Sequence, residues 1–170
     1  MFGKSITKLA GTVCAIVMLG ACASTSTPDV LEVVDTTAST VVSPSGPVPG
    51  SQADLENSAG HRVFFGYNEW ALTPQAQAVL GRQASWLKQY PENRILISGN
   101  CDERGTREYN LALGKRRSEA AKAYLVSLGV DSSRISTVSY GKERPIDPRS
   151  NDSAWSLNRN STTSVTGIGA

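Results

Sequence analysis

RILISGNCDERGTREYNLALGKRR, residues 94–117, is the stretch of this chain that decides its fold. It begins with a short apolar run, Ile95-Leu96-Ile97, of the kind found in buried strands, and it continues through a polar segment, residues 99–106. A helix is predicted from Arg107 to Leu128, because a glycine, which commonly ends helices, comes next. A buried strand that leads through a polar loop into an amphipathic helix indicates a mixed α/β architecture.

The flanking sequence supplies the other elements of the predicted domain. Thr73-Pro74 opens a second helix, with threonine as N-cap and proline at the first helical position. The predicted order is β-α-β-α-β-α-β: strand 62–65, a helix from 73 that ends at Pro91, strand 94–98, helix 107–128, strand 135–140, helix 153–159 and strand 161–168. The last strand is polar and is expected to bury little. The expected fold is a two-layer α/β (α+β) sandwich with helices on one face of a small mixed sheet.

The first 21 residues have the layout of a secretory signal peptide. Lys4 and Lys8 precede an apolar run, residues 9–19, that is too short to span a bilayer as a mature helix. Small residues lead directly into Cys22, an arrangement that resembles a bacterial lipobox. Cys22 is therefore expected to receive a lipid and to become the first mature residue. A plain signal peptide with an incidental cysteine is the alternative.

Composition divides the rest of the chain into a tether and a folded part. Residues 23–60 are rich in Ser, Thr, Pro, Val and Gly and have no sustained helical period, which predicts a flexible linker. The expected boundaries are therefore signal peptide 1–21, lipidated cysteine and linker 22–60, and folded domain 61–170. The stretch 22–60 holds five acidic residues and no Lys or Arg, whereas 61–170 holds fifteen Lys/Arg and ten Asp/Glu. That positive excess favours an anionic polymer such as cell wall, but it is too small to predict nucleic-acid binding.

Residues for enzyme chemistry are scarce in the sequence. Cys101 is alone once Cys22 is lipidated, so no internal disulfide is expected, and it is predicted to be a small, partly buried residue at a strand end. His61 is the only histidine, and nothing in the sequence links it to Cys101 as a base. Asp102 and Glu103 are adjacent and are expected to point in different directions, unlike the carboxylate pair of a glycosidase. The chain is predicted not to be an enzyme and to use no cofactor or metal.

One polar constellation suggests a binding pocket. Asp102 precedes a helix N-terminus, and Asn110, Gly114 and Arg117 share one helix face at spacings of four and three. Gly114 would leave that face open to close approach. Such a pocket suits a ligand with an ammonium, held by Asp102, and a carboxylate, held bidentately by Arg117. Alternatively, Asp102 caps the helix and Arg117 makes a surface ion pair.

The same residues carry a resemblance to a known family. The motifs are Asp102-Glu103-Arg104-Gly105-Thr106, Tyr109-Asn110, Arg116-Arg117, Ser139-Tyr140-Gly141-Lys142-Glu143-Arg144-Pro145 and Asn158-Arg159. Across residues 62–159 they resemble the OmpA-like peptidoglycan-binding domain. The resemblance implies a domain that grips the diaminopimelate side chain of peptidoglycan without cutting it. It puts the key aspartate at Asp102, the key arginine at Arg117, an assisting asparagine at Asn110 and a backbone contact at Leu113, with Arg104 also among the binding residues.

The resemblance also carries expectations about location and partners. Because Ala23 follows the lipidated cysteine where an aspartate would favour inner-membrane retention, the protein is expected on the periplasmic side of the outer membrane. Contact with proteins of the Tol system, TolB and TolA, is implied as well. A periplasmic envelope hydrolase and a protein-interaction hub are the alternative functions.

Four positions depart from the family pattern. Asn100 stands where the family usually has histidine, and Gly66 and Asn68 replace aspartates that commonly follow the first strand. Asn160 replaces the second of two arginines. The resemblance leaves the effect of these changes on wall binding and stability open.

Overall fold

The structure is a computed structural model that describes residues 46–168. The predicted signal peptide, the lipidation at Cys22 and most of the predicted linker lie outside the described residues. The helices are α1 Gln52–Ser58, α2 Pro74–Gln89, α3 Arg107–Ser127 and α4 Asp152–Asn158, with a 3₁₀ turn at Ser132–Arg134. The strands are β1 Arg62–Phe64, β2 Asn93–Asn100, β3 Ile135–Gly141 and β4 Asn160–Ile168. Within 46–168, every helix is too short or too polar to cross a bilayer.

The four strands form one mixed sheet in the order β1-β4-β2-β3. Strand β4 runs antiparallel to both β1 and β2, while β2 and β3 are parallel. Along β2, Ile95 and Ile97 are buried, whereas Arg94 is exposed and Leu96 is only partly covered. Alternate residues of a strand point to opposite faces, so the helices cover one face of this sheet. The predicted α/β sandwich with a small mixed sheet is confirmed.

The two long helices begin as their cap residues predict. The Thr73 hydroxyl accepts a hydrogen bond from the backbone N–H of Ala76, and Pro74 occupies the first turn of α2. Thr106 does the same for the N–H of Tyr109 at the start of α3. Both helices bury an apolar stripe against the core, which includes Ala76, Leu80, Ala84, Leu87, Leu113, Ala121 and Leu125.

Helix α1 corrects the predicted boundary between linker and domain at residue 60. Its only buried residue is Leu55, which is 0% exposed in the core, and the indole N–H of Trp86 donates to Asp54 at 3.0 Å. The Gln52 side chain bonds the carbonyl of Thr163 and the N–H of Val165, so it continues the hydrogen bonding of β4 beyond the short β1. A helix of seven residues with one buried leucine shows no apolar period, and for that reason the sequence did not reveal it.

Strand β4 is an interior strand despite its Ser/Thr-rich sequence, and the expectation that it buries little is wrong. Thr163 is 2% exposed, and its hydroxyl donates to Oε1 of Gln83 on α2 at 2.9 Å. The amide of Gln83 in turn donates to the carbonyl of Gly60 at 2.8 Å. Ser161 is equally buried, yet its Oγ has no hydrogen-bond partner. A polar side chain such as Thr163 can be buried inside this sheet when a buried group forms a hydrogen bond with it.

Gly99 on β2 and Gly114 on α3 let the helix lie directly on the sheet. A Cβ on Gly99 would overlap the Gly114 carbonyl, and a Cβ on Gly114 would approach the carbonyl oxygen of Gly99 to 2.7 Å. Gly114 does leave its helix face open to close approach, as predicted, and the group that approaches is the backbone of β2. Its missing side chain permits helix–sheet packing and so sets the position of the residues that follow on α3.

Candidate functional site

A cavity of about 320 Å³ lies where the end of β2 meets the first half of α3. It brings together all five residues that the sequence assigned to binding: Asp102, Arg104, Asn110, Leu113 and Arg117. Six further residues line it: Tyr67, Asn68, Cys101, Gly105, Tyr109 and Arg159. Three guanidinium groups and one carboxylate therefore line the same cavity.

Asp102 is the buried anion of this cavity. Only 4% of it is exposed, and its carboxylate accepts from Arg104 Nη2 at 2.6 Å and from Arg159 Nη1 at 3.3 Å. Burial alone would raise the pKa of this carboxyl, but the hydrogen bonds from Arg104 and Arg159 outweigh it and hold the pKa below its usual value. Since Thr106 is the N-cap of α3, the alternative that Asp102 caps the helix is wrong.

Arg117 is fully buried, and it bonds backbone carbonyls rather than a carboxylate. Its Nε donates to Glu69 at 2.8 Å, Nη1 to Asn100 at 2.8 Å and Nη2 to Gly66 at 3.0 Å. Burial lowers the pKa of the guanidinium below its ordinary value. The alternative of a surface ion pair is wrong, and a bidentate grip on a ligand carboxylate is not preformed either. As described, Arg117 holds the wall of the cavity in place.

Asn110, Leu113 and Cys101 shape the cavity floor. The amide of Asn110 donates to the carbonyls of Arg104 at 2.8 Å and Thr106 at 3.0 Å, which folds the loop back onto α3. Leu113 is 6% exposed. Cys101 is buried as predicted, and burial raises the pKa of its thiol, so it is not activated as a nucleophile.

Arg104 lies between two aromatic rings. Its guanidinium carbon is 4.2 Å from the ring centroids of both Tyr67 and Trp155. The indole N–H of Trp155 donates to Glu103 at 3.0 Å, so Glu103 and Asp102 do point in different directions. Stacking fixes the plane of the Arg104 guanidinium and presents it edge-on to Asp102.

Sequence reasoning missed two features of this region. The Asn158-Arg159 motif did not predict a role for Arg159 in the site. In the structure Arg159 contacts the carboxylate of Asp102, and its Nε donates to the carbonyl of Phe65 at 3.1 Å. The side chains of Asn100 and Asn160, two positions expected to differ from the family pattern, are in contact: the amide of Asn100 donates to Oδ1 of Asn160 at 2.9 Å. Nothing in the local sequence pairs residues so far apart in the chain.

The fold and the cavity define a class of protein: a small α/β sandwich with one cavity lined by a carboxylate and three guanidinium groups. Within residues 46–168, no group of three His, Cys, Asp or Glu side chains is placed to hold a metal ion. A family model described as the OmpA family matches residues 64–159. The chain belongs to the OmpA family.

Curated relatives match a larger part of the chain. It is 50% identical over 122 residues to the peptidoglycan-associated lipoprotein of Mesorhizobium japonicum, covering 72% of this chain and 73% of that protein. The peptidoglycan-associated lipoprotein of Rhizobium meliloti is also 50% identical over 122 residues, covering 72% and 69% of the two chains.

Solved structures agree with the described fold. The crystal structure of the peptidoglycan-associated lipoprotein from Burkholderia pseudomallei superposes with a TM-score of 0.61 at 40% identity, over 62% of this chain and 90% of that one. The C-terminal domain of Helicobacter pylori MotB has a TM-score of 0.59 at 19% identity, over 62% and 84% of the chains, and shares the fold alone.

Membership of the family decides two of the sequence predictions. The resemblance drawn over residues 62–159 is confirmed. The peptidoglycan-binding domains of this family are not enzymes, so the prediction of a non-enzymatic protein is confirmed as well, and the hydrolase alternative is excluded.

Proposed function

We propose that this protein is an outer-membrane lipoprotein that binds the diaminopimelate side chain of peptidoglycan and so tethers the membrane to the wall. One observation carries the proposal: a single cavity collects Asp102, Arg104 and Arg117 in a chain half-identical to proteins named peptidoglycan-associated lipoproteins. Diaminopimelate carries an ammonium and a carboxylate on one carbon at its free end. The ammonium has a carboxylate partner in this cavity, and the ligand carboxylate has guanidinium partners.

The ion pairs of Asp102 suggest how the ligand enters. The carboxylate is already neutralised by two arginines, so a ligand ammonium takes the place of one of them. The Arg104 side chain is 33% exposed and that of Arg159 is 16% exposed, so an entering ligand reaches Arg104 first, although the Arg104–Asp102 contact is the shorter of the two. Arg104 then turns to the ligand carboxylate. Because each ion pair that breaks is replaced by another, no charge is left buried without a partner.

Arg117 supports this exchange by holding the wall of the cavity in place. Its three carbonyl contacts hold residues 66, 69 and 100 around the cavity, and its buried positive charge lies in the cavity wall, where it favours a nearby ligand carboxylate. Asn110 keeps the loop that carries Asp102 and Arg104 on the helix. On this proposal Asp102 and Arg104 bind the ligand directly, whereas Arg117 and Asn110 mainly position them.

The anchor is proposed from the sequence. Lipid on Cys22 would hold the protein in the membrane, and Ala23 favours the outer one. Metabolic labelling with a radioactive fatty acid tests this: the wild type should be labelled and Cys22→Ser should not. We extend the proposal to contact with Tol-system proteins, which crosslinking in the periplasm tests separately.

Co-sedimentation with purified sacculi tests wall binding. The protein should pellet with diaminopimelate-containing sacculi and be released by free diaminopimelate, which competes for the cavity. Pelleting that free diaminopimelate leaves unchanged would place the wall contact elsewhere on the surface. Digestion of the sacculi during the assay would contradict a binding function.

A further inference from the structure

Two exposed aromatic rings line the cavity, those of Tyr67 and Tyr109, and a third, Trp70, lies three residues after Tyr67 in the chain. Tyr67 is 64% exposed, and Trp70 and Tyr109 are each 45% exposed. We call these three residues the aromatic rim. Large apolar side chains exposed together on a soluble domain mark a surface that binds something, because leaving them in water is unfavourable.

The rim is held rigidly. Residues 66–69 form a tight turn in which the N–H of Glu69 donates to the carbonyl of Gly66, and Trp70 follows this turn directly. Arg117 bonds both of those residues through their carbonyls. The Tyr109 hydroxyl bonds Oδ1 of Asn68, which joins the turn to α3. A surface fixed in this way loses little conformational entropy when a ligand docks on it.

Two rings of the rim also stack against guanidinium groups. Arg104 stacks on Tyr67 at 4.2 Å, and Arg116 stacks on Trp70 at 4.8 Å. The surface therefore alternates flat apolar rings with hydrogen-bond donors. This is the chemistry that fits a pyranose sugar, whose C–H groups pack on an aromatic face while its hydroxyl and amide oxygens accept hydrogen bonds.

We propose that the aromatic rim binds an amino sugar of the wall strand whose peptide occupies the cavity. The inference rests on the proposed function and adds a second contact to it. The rim is continuous with the cavity, since Tyr67 and Tyr109 line both. Two residues separate diaminopimelate from the sugar in a stem peptide, so at about 3.3–3.6 Å per extended residue the sugar reaches the surface beside the cavity.

Two soluble probes test the inference by calorimetric titration of the full chain. The first is the tripeptide L-alanyl-γ-D-glutamyl-diaminopimelate, and the second is the same peptide on N-acetylglucosaminyl-N-acetylmuramic acid. The disaccharide peptide should bind about fivefold to tenfold more tightly, the gain expected from one or two ring contacts. Trp70→Ala, which lies outside the cavity lining, should abolish that advantage and leave tripeptide affinity unchanged. Trp70→Tyr should keep most of it.

Phe64→Ala is the matched control, because Phe64 is 44% exposed but lies on β1 and not in the rim. It should preserve both affinities. Equal wild-type affinity for the two probes would overturn the sugar contact while leaving the proposed function standing, and it would point to a protein partner for the rim. An equal loss for both probes in Trp70→Ala would overturn it too. If the wild type bound neither probe, the proposed function would fail, and this inference with it.

Discussion

Asn100 and Asn160 lie 60 residues apart in the chain, and their side chains are joined by a 2.9 Å hydrogen bond inside the protein. Asn100 ends β2 and its carbonyl accepts from Arg117, while Asn160 begins β4. The pair therefore connects the end of β2, at the cavity wall, to the start of the neighbouring strand β4. Both are positions at which the resemblance to the family predicts a different residue, and in this protein the two asparagine side chains satisfy each other.

A double-mutant cycle on this pair should show coupling. Asn100→Ala and Asn160→Ala each remove a buried partner and should each lower the free energy of unfolding by about 1–3 kcal/mol. The double variant should be less destabilised than the sum by about 1 kcal/mol, measured by urea denaturation. Additive losses would mean that the two side chains act independently.

Removing the cavity anion should weaken wall binding. Asp102→Ala eliminates the partner of the ligand ammonium, and loss of one member of a buried charged contact costs about 2–5 kcal/mol, which is a tenfold or greater fall in affinity for sacculi. Asp147→Ala is a matched control, because Asp147 bonds Arg149 with the same spacing and the same 2.6 Å Oδ2–Nη2 contact as Asp102 and Arg104. Circular dichroism should show both variants folded. Equal sedimentation of the two would refute the assigned role of Asp102.

The proposed ligand predicts discrimination between wall types. Sacculi whose peptides contain diaminopimelate should retain the protein, and walls that carry lysine at that position should not. Lysine has the ammonium that Asp102 recognises but lacks the second carboxylate, so the guanidinium group of Arg104 would be left without its ligand partner. Pull-down on the two wall types measures this directly, and comparable retention would contradict the charge-pairing scheme.

Stability should depend on pH through Asp102. Its pKa is lower in the folded state than in the unfolded chain, so its contribution is present above the unfolded value of about 3.9 and is lost as pH falls through the folded pKa. The melting temperature of Asp102→Asn should therefore lie below that of the wild type at pH 7. The difference should shrink as the pH falls below about 4. A gap that stays constant down to pH 2 would show that the effect is not ionic.

Neighbouring inward-facing residues of β4 should respond with opposite signs. Ser161→Ala removes a buried hydroxyl that has no hydrogen-bond partner and should raise the free energy of unfolding by about 1 kcal/mol. Thr163→Val keeps the shape but leaves Oε1 of Gln83 without its donor, so it should lower that free energy by about 1–3 kcal/mol. Denaturant titration of both variants measures the signs. Destabilisation by Ser161→Ala would indicate that this hydroxyl has a partner.

Local chemistry in the sequence determined much of the architecture and the membership of the site. Thr73-Pro74 and the glycine after Leu128 mark helix ends through backbone geometry, and the Ile95-Leu96-Ile97 run marks a strand through its apolarity. These signals depend on neighbours within a few residues and can be read without the fold. Asp102, Asn110 and Arg117 could be grouped for a similar reason, because they lie in one loop and one helix, whereas Arg104 and Leu113 were assigned through the resemblance to the family.

The tertiary structure alone decided how those residues are used. Whether Arg117 faces a ligand or bonds carbonyls depends on where residues 66 and 69 lie, about fifty positions earlier in the chain. Helix α1 and the polar strand β4 are stable because Leu55 enters a core made elsewhere and Thr163 meets Gln83. The free energy of burying a side chain depends on the groups that surround it in space, and the local sequence does not show which groups those are.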